Sequence, residues 1–97
     1  MKKFMFIYTG FVTPTEEIGK AWGDWFSSIG DKFVDTGNPF MSGMEITADG
    51  KETDLPLDLQ SITGYSIINA TDMDEAKALA RTNPSITSIR VYEMGAM

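Results

Sequence analysis

A chain of 97 residues with a net charge of −6 has room for one small domain spanning residues 1–97, and its acidity argues against partners recognised through phosphate. Apolar residues make up 42% and charged residues 23%, the mixture of a folded rather than a disordered chain. There is no cysteine and no histidine, which removes disulfides, thiolate sites, the commonest zinc ligand and the usual general base near neutral pH.

The remaining exclusions are local. Lys2-Lys3 is the only cationic cluster, so neither nucleic acid nor an anionic membrane surface is expected as a partner. No apolar run approaches the roughly 20 residues that span a bilayer. The opening MKKFMFIY carries two lysines before apolar residues, but its apolar run is too short for a secretory signal and no small-residue cleavage site follows, so a cytoplasmic protein is expected. The carboxylates form no metal-ligand spacing and the glycines no phosphate loop. No metal and no cofactor are expected.

In chain order, Lys3 to Tyr8 alternates as a strand with Phe4, Phe6 and Tyr8 on one side and Met5 and Ile7 on the other. Both sides are apolar, which predicts that both are covered. Thr13-Pro14-Thr15-Glu16 predicts a helix start, with Thr13 capping, Pro14 at the first helical position and Glu16 completing the capping box. The helix then carries Ile18, Trp22, Trp25, Phe26, Ile29 and Phe33 as an aromatic stripe. Gly19 and Gly23 lie one turn apart on it, either as tolerated glycines or as a place where a backbone or ligand approaches closely.

Thr36-Gly37-Asn38-Pro39 has turn chemistry, and a second strand is predicted over 44–48, with Asp49-Gly50 turning it into a short return arm, Lys51 to Thr53. Asp54 to Ser61 reads as a loop. The most legible stretch is Gly64 to Arg81: Tyr65, Ile67 and Asn69 alternate with Ser66, Ile68 and Ala70, and then Asp72 and Glu75 signal a capped helix. Arg81 suits its last turn and Pro84 forbids continuation. Ile86 to Met94 closes the chain as a strand. The order β-α-β-β-α-β predicts an α+β fold, the ferredoxin-like plait with both helices on one face. The apolar outer face predicts a homodimer in which two sheets pack together, a dimeric α+β barrel.

Taken together, these segments resemble the YCII-related family, also called the DGPF-domain family. The resemblance rests on Gly64-Tyr65 with Ile67-Ile68, on Asp72-Met73-Asp74-Glu75-Ala76, on KKFMFIY, on Ala21-Trp22-Gly23-Asp24-Trp25, on Asp49-Gly50-Lys51, and on Asn83-Pro84 with Val91-Tyr92-Glu93. It implies a dimeric α+β barrel of largely unassigned activity, some members being suggested to work through a histidine–aspartate pair in a cleft. This chain has no histidine, and Asn83 stands where those members carry aspartate. Asp54-Leu55-Pro56-Leu57 keeps the aspartate and proline of the DGPF signature but neither its glycine nor its phenylalanine.

Four residues are site candidates, each with an architectural alternative. Tyr8 can hydrogen-bond a ligand or act as an acid, or sit with its ring in the core and its hydroxyl at the rim. Trp22 and Trp25 can stack an aromatic ligand, Trp22 being the better placed of the two, or both can serve the core or a dimer interface. Asp54 can act as a general base if an apolar pocket desolvates it, or cap a turn. Asn83 can contact a ligand, or hold the turn before Pro84. The expected function is a YCII-like homodimer binding a small aromatic or carbonyl-bearing metabolite, with catalysis, if any, on Asp54 and Tyr8. The alternatives are a non-enzymatic regulatory or interaction module, and a lyase or dehydrochlorinase-like enzyme whose dyad has been replaced.

Overall fold

The computed structural model describes residues 1–96. In chain order its elements are β1 (Lys2–Thr9), α1 (Glu16–Ile29), β2 (Phe33–Asp35), β3 (Gly43–Ile46), β4 (Glu52–Leu55), β5 (Ile62–Ala70), α2 (Met73–Ala80) and β6 (Ser88–Glu93). The period-two apolar runs make the centre of the sheet. β1 pairs antiparallel with β5, placing Phe4 opposite Ile68 and Phe6 opposite Ser66, and pairs antiparallel with β6, placing Phe6 opposite Val91. β2 adds to the outer side of β5, again antiparallel, for a four-stranded order β2-β5-β1-β6. This order, with two helices, is compatible with a ferredoxin-like α+β fold.

One face of the sheet carries the core. Phe4, Phe6, Ile68 and Ala70 are buried against Trp25 and Ile29 of α1 and Ala76 and Ala80 of α2. Two hydrogen bonds from the Trp25 indole N–H, to Thr82 Oγ1 at 3.0 Å and to Leu79 O at 3.4 Å, tie α1 to the end of α2. The opposite face has no such cover. Met5, Ile7, Tyr65 and Ile67 there are half-buried and Tyr92 is 54% exposed. The expectation that β1 is covered on both sides is therefore met within one chain on one side only. Among the described residues, no helix is long and apolar enough to cross a membrane.

The β5–α2 unit follows its sequence signals. Asp72 caps α2 by accepting from Glu75 N at 2.9 Å, while the Glu75 carboxylate reaches back to Thr71 N at 3.2 Å. The first helix differs in register. Its cap is Thr15, accepting from Ile18 N at 3.2 Å, rather than Thr13. Starting at Glu16 places both Glu16 and Glu17 in the first turn, where their negative charge is favoured by the positive end of the helix dipole. The helix stops at Ile29 because Gly30, at φ +57°, turns out of the helical path and donates its N–H back to Phe26 O.

The second strand is also corrected. The segment predicted over 44–48 does not enter the main sheet; β3 and β4 form their own hairpin, with Met44 opposite Asp54 and Ile46 opposite Glu52. Asp54 and Leu55, expected in a loop, end this hairpin as strand residues. The edge strand is instead Phe33–Asp35, expected inside the first helix. Phe33 still packs where a helical residue would have reached, 5.8 Å from the Trp25 ring and 5.3 Å from Phe26, centroid to centroid. The closing strand is shorter than expected, with Ile86 and Thr87 in the approach and Met94 beyond its end.

Candidate functional site

Where α1 leaves the sheet, its aromatic stripe outruns the cover available. Trp25 is fully engaged, but Trp22 and Phe26 remain half-buried along the side of the helix facing the 36–41 segment. Between them lies an open cavity of about 980 Å³, lined by Tyr8 of β1, by Ile18, Gly19, Trp22 and Phe26 of α1, and by Phe33, Asn38 and Phe40 of the following chain. Its walls are overwhelmingly apolar and aromatic, with a few polar groups, the composition expected of a small-molecule cleft.

Two glycines shape this cleft. Gly37 has φ +81°, and a Cβ built there would lie 1.6 Å from Tyr65 O, so only glycine brings the 36–41 segment against β5. Its N–H donates to Asp35 Oδ1 at 2.8 Å, and Phe40 N donates to Thr63 O at 2.8 Å, fixing the segment along the edge of the sheet. Gly19 is the other. Its missing side chain meets nothing within 4 Å, so this stretch of the helix surface is open to the cavity. Of the two readings for Gly19, the structure therefore places it where a close approach is possible; Gly23 does not line the cavity.

Tyr8 and Trp22 are brought together. Their rings meet edge to face with centroids 4.8 Å apart, a favourable geometry for aromatic pairs. The Tyr8 hydroxyl donates to Ser66 Oγ at 2.7 Å, and Ser66 Oγ donates to Thr36 O at 2.6 Å, a relay that binds β1 and β5 to the cleft-forming segment. Burial pushes the Tyr8 hydroxyl up to about 12, only partly offset by the Ser66 hydrogen bond. Tyr65, also on the wall, donates to Asp35 Oδ2 at 3.0 Å; that bond and the carboxylate charge raise its pKa as well. Both phenols therefore stay protonated near neutrality.

A pH dependence follows. The folded Tyr8 holds its proton above its ordinary value of 10.0, up to about 12, while the unfolded chain has already lost it. The folded state thus binds more protons than the unfolded state in that interval, and stability falls as pH rises through it. Urea titrations at increasing pH should show this loss begin above pH 10, and Tyr8→Phe should flatten it relative to the parent.

The other two candidates lie elsewhere. Asp54 is exposed on β4, lines neither this cavity nor its neighbour, and is not desolvated by the aromatic wall. Asn83 holds its turn: its Oδ1 accepts from Ser85 N at 2.8 Å, and its backbone N–H donates to Ala80 O at 3.0 Å. Its Nδ2 is buried without a hydrogen-bond partner among the described residues, and it does not line the cavity. A second concavity, of about 810 Å³, runs beneath the hairpin with Glu45, Asp58 and Arg90 on its wall. Among the described residues, no group of three or more acidic side chains is placed to hold a metal ion. Residues 36–41, Phe33 and Tyr65 complete the cleft without having been singled out from sequence for it. The turn chemistry of 36–39 marked a bend but not the surface it would close.

No family model, no curated protein and no solved structure matches this chain.

Proposed function

We propose that this protein is a YCII-like homodimer that binds a small aromatic or carbonyl-bearing metabolite in the cleft beside α1. The observation that carries the binding reading is the aromatic wall of that cleft, with Tyr8 and Trp22 in contact upon it. A thermal-shift screen with hydroxyquinones, phenols and small keto acids is its direct test. Stabilisation by at least one class, lost in Trp22→Ala, is the expected result; no shift from any compound in a well-folded sample would sink it. The reading is of binding rather than turnover. The wall's ionisable groups are two phenols that keep their protons, and Asp54, the candidate base, lies on the hairpin.

The dimer is supported by what a single chain leaves uncovered. Its accessible surface is 6662 Å², against about 5,500 Å² for a typical monomer of this mass. The excess, roughly 1,100 Å², is of the size one partner buries in a standard interface, about 800 Å². The uncovered sheet face, with Met5, Ile7 and Ile67 at its centre, is the natural place for a second sheet. Sedimentation at micromolar concentration should give a dimer, and Ile67→Arg, which puts a charge in the middle of that face, should give a folded monomer. A parent protein that sediments as a monomer would remove this part of the proposal.

A further inference from the structure

The β3–β4 hairpin has little support within its own chain. All four residues of each strand are exposed, and among the described residues the two strands pair only with each other. An isolated two-stranded hairpin is marginal at best in water. Its tip is nonetheless tied: Thr47 N donates to Lys51 O at 2.9 Å, and Lys51 N donates to Thr47 Oγ1 at 3.0 Å. The hairpin also stands off the body, over the concavity of about 810 Å³. The chain's radius of gyration is correspondingly large, 14.5 Å against about 12.5 Å for a compact domain of this length. A hairpin so built and so placed draws its stability from something laid against it.

Its side chains specify the partner. Opposed residues of an antiparallel pair share a face, so Met44, Ile46, Glu52 and Asp54 lie together on one side of the hairpin. Ile46 is 65% exposed and Met44 51%. The charge around them is one-sided: residues 43–55 hold Glu45, Asp49, Glu52 and Asp54 against the single cation Lys51. The bare face of the main sheet is the converse. Met5, Ile7 and Ile67 form its apolar centre, and the outward-facing positions of β1, β5 and β6 add Lys3 and Arg90 but no carboxylate. Among the described residues, neither of those cations is in an ion pair. Every copy of this chain therefore carries both an apolar stripe flanked by carboxylates and an apolar face flanked by unpaired cations. They do not meet within one copy, because Ile46, Glu52 and Asp54 lie outside the concavity between the hairpin and its own sheet.

From these observations we infer that the β3–β4 hairpin is a dimerisation arm. It lies on a second copy of this chain, with Met44 and Ile46 against that copy's bare sheet face and Glu52 and Asp54 beside its cations, Lys3 and Arg90. The inference rests on the dimer reading proposed above and adds the surface that fixes the partner. In a two-fold dimer the contact occurs twice, each arm on the other copy's face, so each increment counts double. The apolar side chains supply burial, and the complementary charges set orientation and exclude other partners.

Charge reversal, read by sedimentation at low salt over a range of protein concentrations, tests it. Glu52→Lys with Asp54→Lys makes the arm cationic, and Lys3→Glu with Arg90→Glu makes the face anionic. All four sites are exposed, so both double variants should fold. Each alone sets like charges between arm and face, and its dimer should dissociate at least about tenfold more readily than the parent's. An equimolar mixture of the two should dimerise like the parent, because in the mixed dimer each arm meets a face of opposite sign. Mixing cannot relieve a repulsion inside one chain, so a mixture as weak as its components would overturn the assignment to a second copy. Ile46→Thr gives a readout independent of charge. It keeps a β-branched strand residue but removes apolar surface, and it should weaken the dimer about tenfold with the fold intact. A parent dimer that none of these substitutions alters would overturn the arm and leave a sheet-on-sheet dimer in place. A parent that sediments as a monomer would instead remove the dimer reading, and this inference with it.

Discussion

Trp25→Ala is expected to cost about 3–5 kcal/mol of folding stability, the range for removing a large buried aromatic side chain. Trp25 is 4% exposed and stands at the meeting point of every layer. Its ring lies 6.1 Å from Phe6 of the sheet, 5.4 Å from Phe26 on its own helix and 5.8 Å from Phe33 on the edge strand, centroid to centroid. Its N–H reaches Thr82 beyond α2. Removing it opens a cavity among groups that belong to four different elements, so no single neighbour can relax into the space. A domain of this size has only about 5–15 kcal/mol in total, so the variant should be substantially unfolded in low urea. Trp22→Ala is the informative contrast. Trp22 is half-buried on the cleft wall, so its loss should cost much less stability yet abolish the ligand response. Equal destabilisation by the two, measured by urea titration, would mean that core and cleft are not separable as described.

That separation was only half legible in the sequence. The stripe Trp22, Trp25, Phe26, Phe33 was visible, and its helical spacing correctly marked an apolar face. The same spacing concealed the break at Gly30. Phe33 returns to the stripe from a strand, because the short 3-10 turn of Gly30–Lys32 brings the chain back beneath α1. Periodicity marks where a side chain arrives, not which backbone carries it there, and so it reads the edge strand as helix. The hairpin of β3 and β4 then took its place in the predicted order, since Asp49-Gly50 is a strong turn signal and the run before it has strand character. By contrast, β5 and α2 emerged nearly intact, because there the change of period coincides with a cap that has both of its partners in the sequence.

The cleft was less legible than the fold for a related reason. Tyr8 is legible as an aromatic near the end of a strand, and Trp22 as an aromatic on a helical stripe. Asp54 was found because it keeps part of a motif, and the motif says nothing about which way a hairpin will carry it. The segment that closes the cleft, 36–41, is held by Gly37, whose role depends on a contact with Tyr65 O nearly thirty residues away. Turn composition predicts that the chain bends there; it cannot predict what the bend is pressed against.

Gly37→Ala is therefore the second large effect expected, about 2–5 kcal/mol. The left-handed backbone costs an L-residue roughly 1–2 kcal/mol. The remainder comes from the clash: a Cβ at 1.6 Å from Tyr65 O cannot be accommodated by a side-chain rotation, since the obstacle is the backbone of β5 itself. The 36–41 segment must lift off the sheet edge. Doing so withdraws Thr36 O from Ser66 Oγ, and Ser66 is completely buried, so its hydroxyl and the Tyr8 hydroxyl behind it lose the end of their relay. A buried donor left without its acceptor costs about 1–3 kcal/mol. Gly50→Ala separates the two contributions. Gly50 has φ +91° at the hairpin turn, but nothing lies within 4 Å of its Cβ direction, so this variant carries backbone strain without a clash. It should lose only the strain and leave the cleft and its ligand response unchanged, whereas Gly37→Ala should lose both stability and binding. If urea midpoints for the two variants fall together, Gly37 acts through its backbone angle alone, and the 36–41 segment does not press on β5 as the cleft requires.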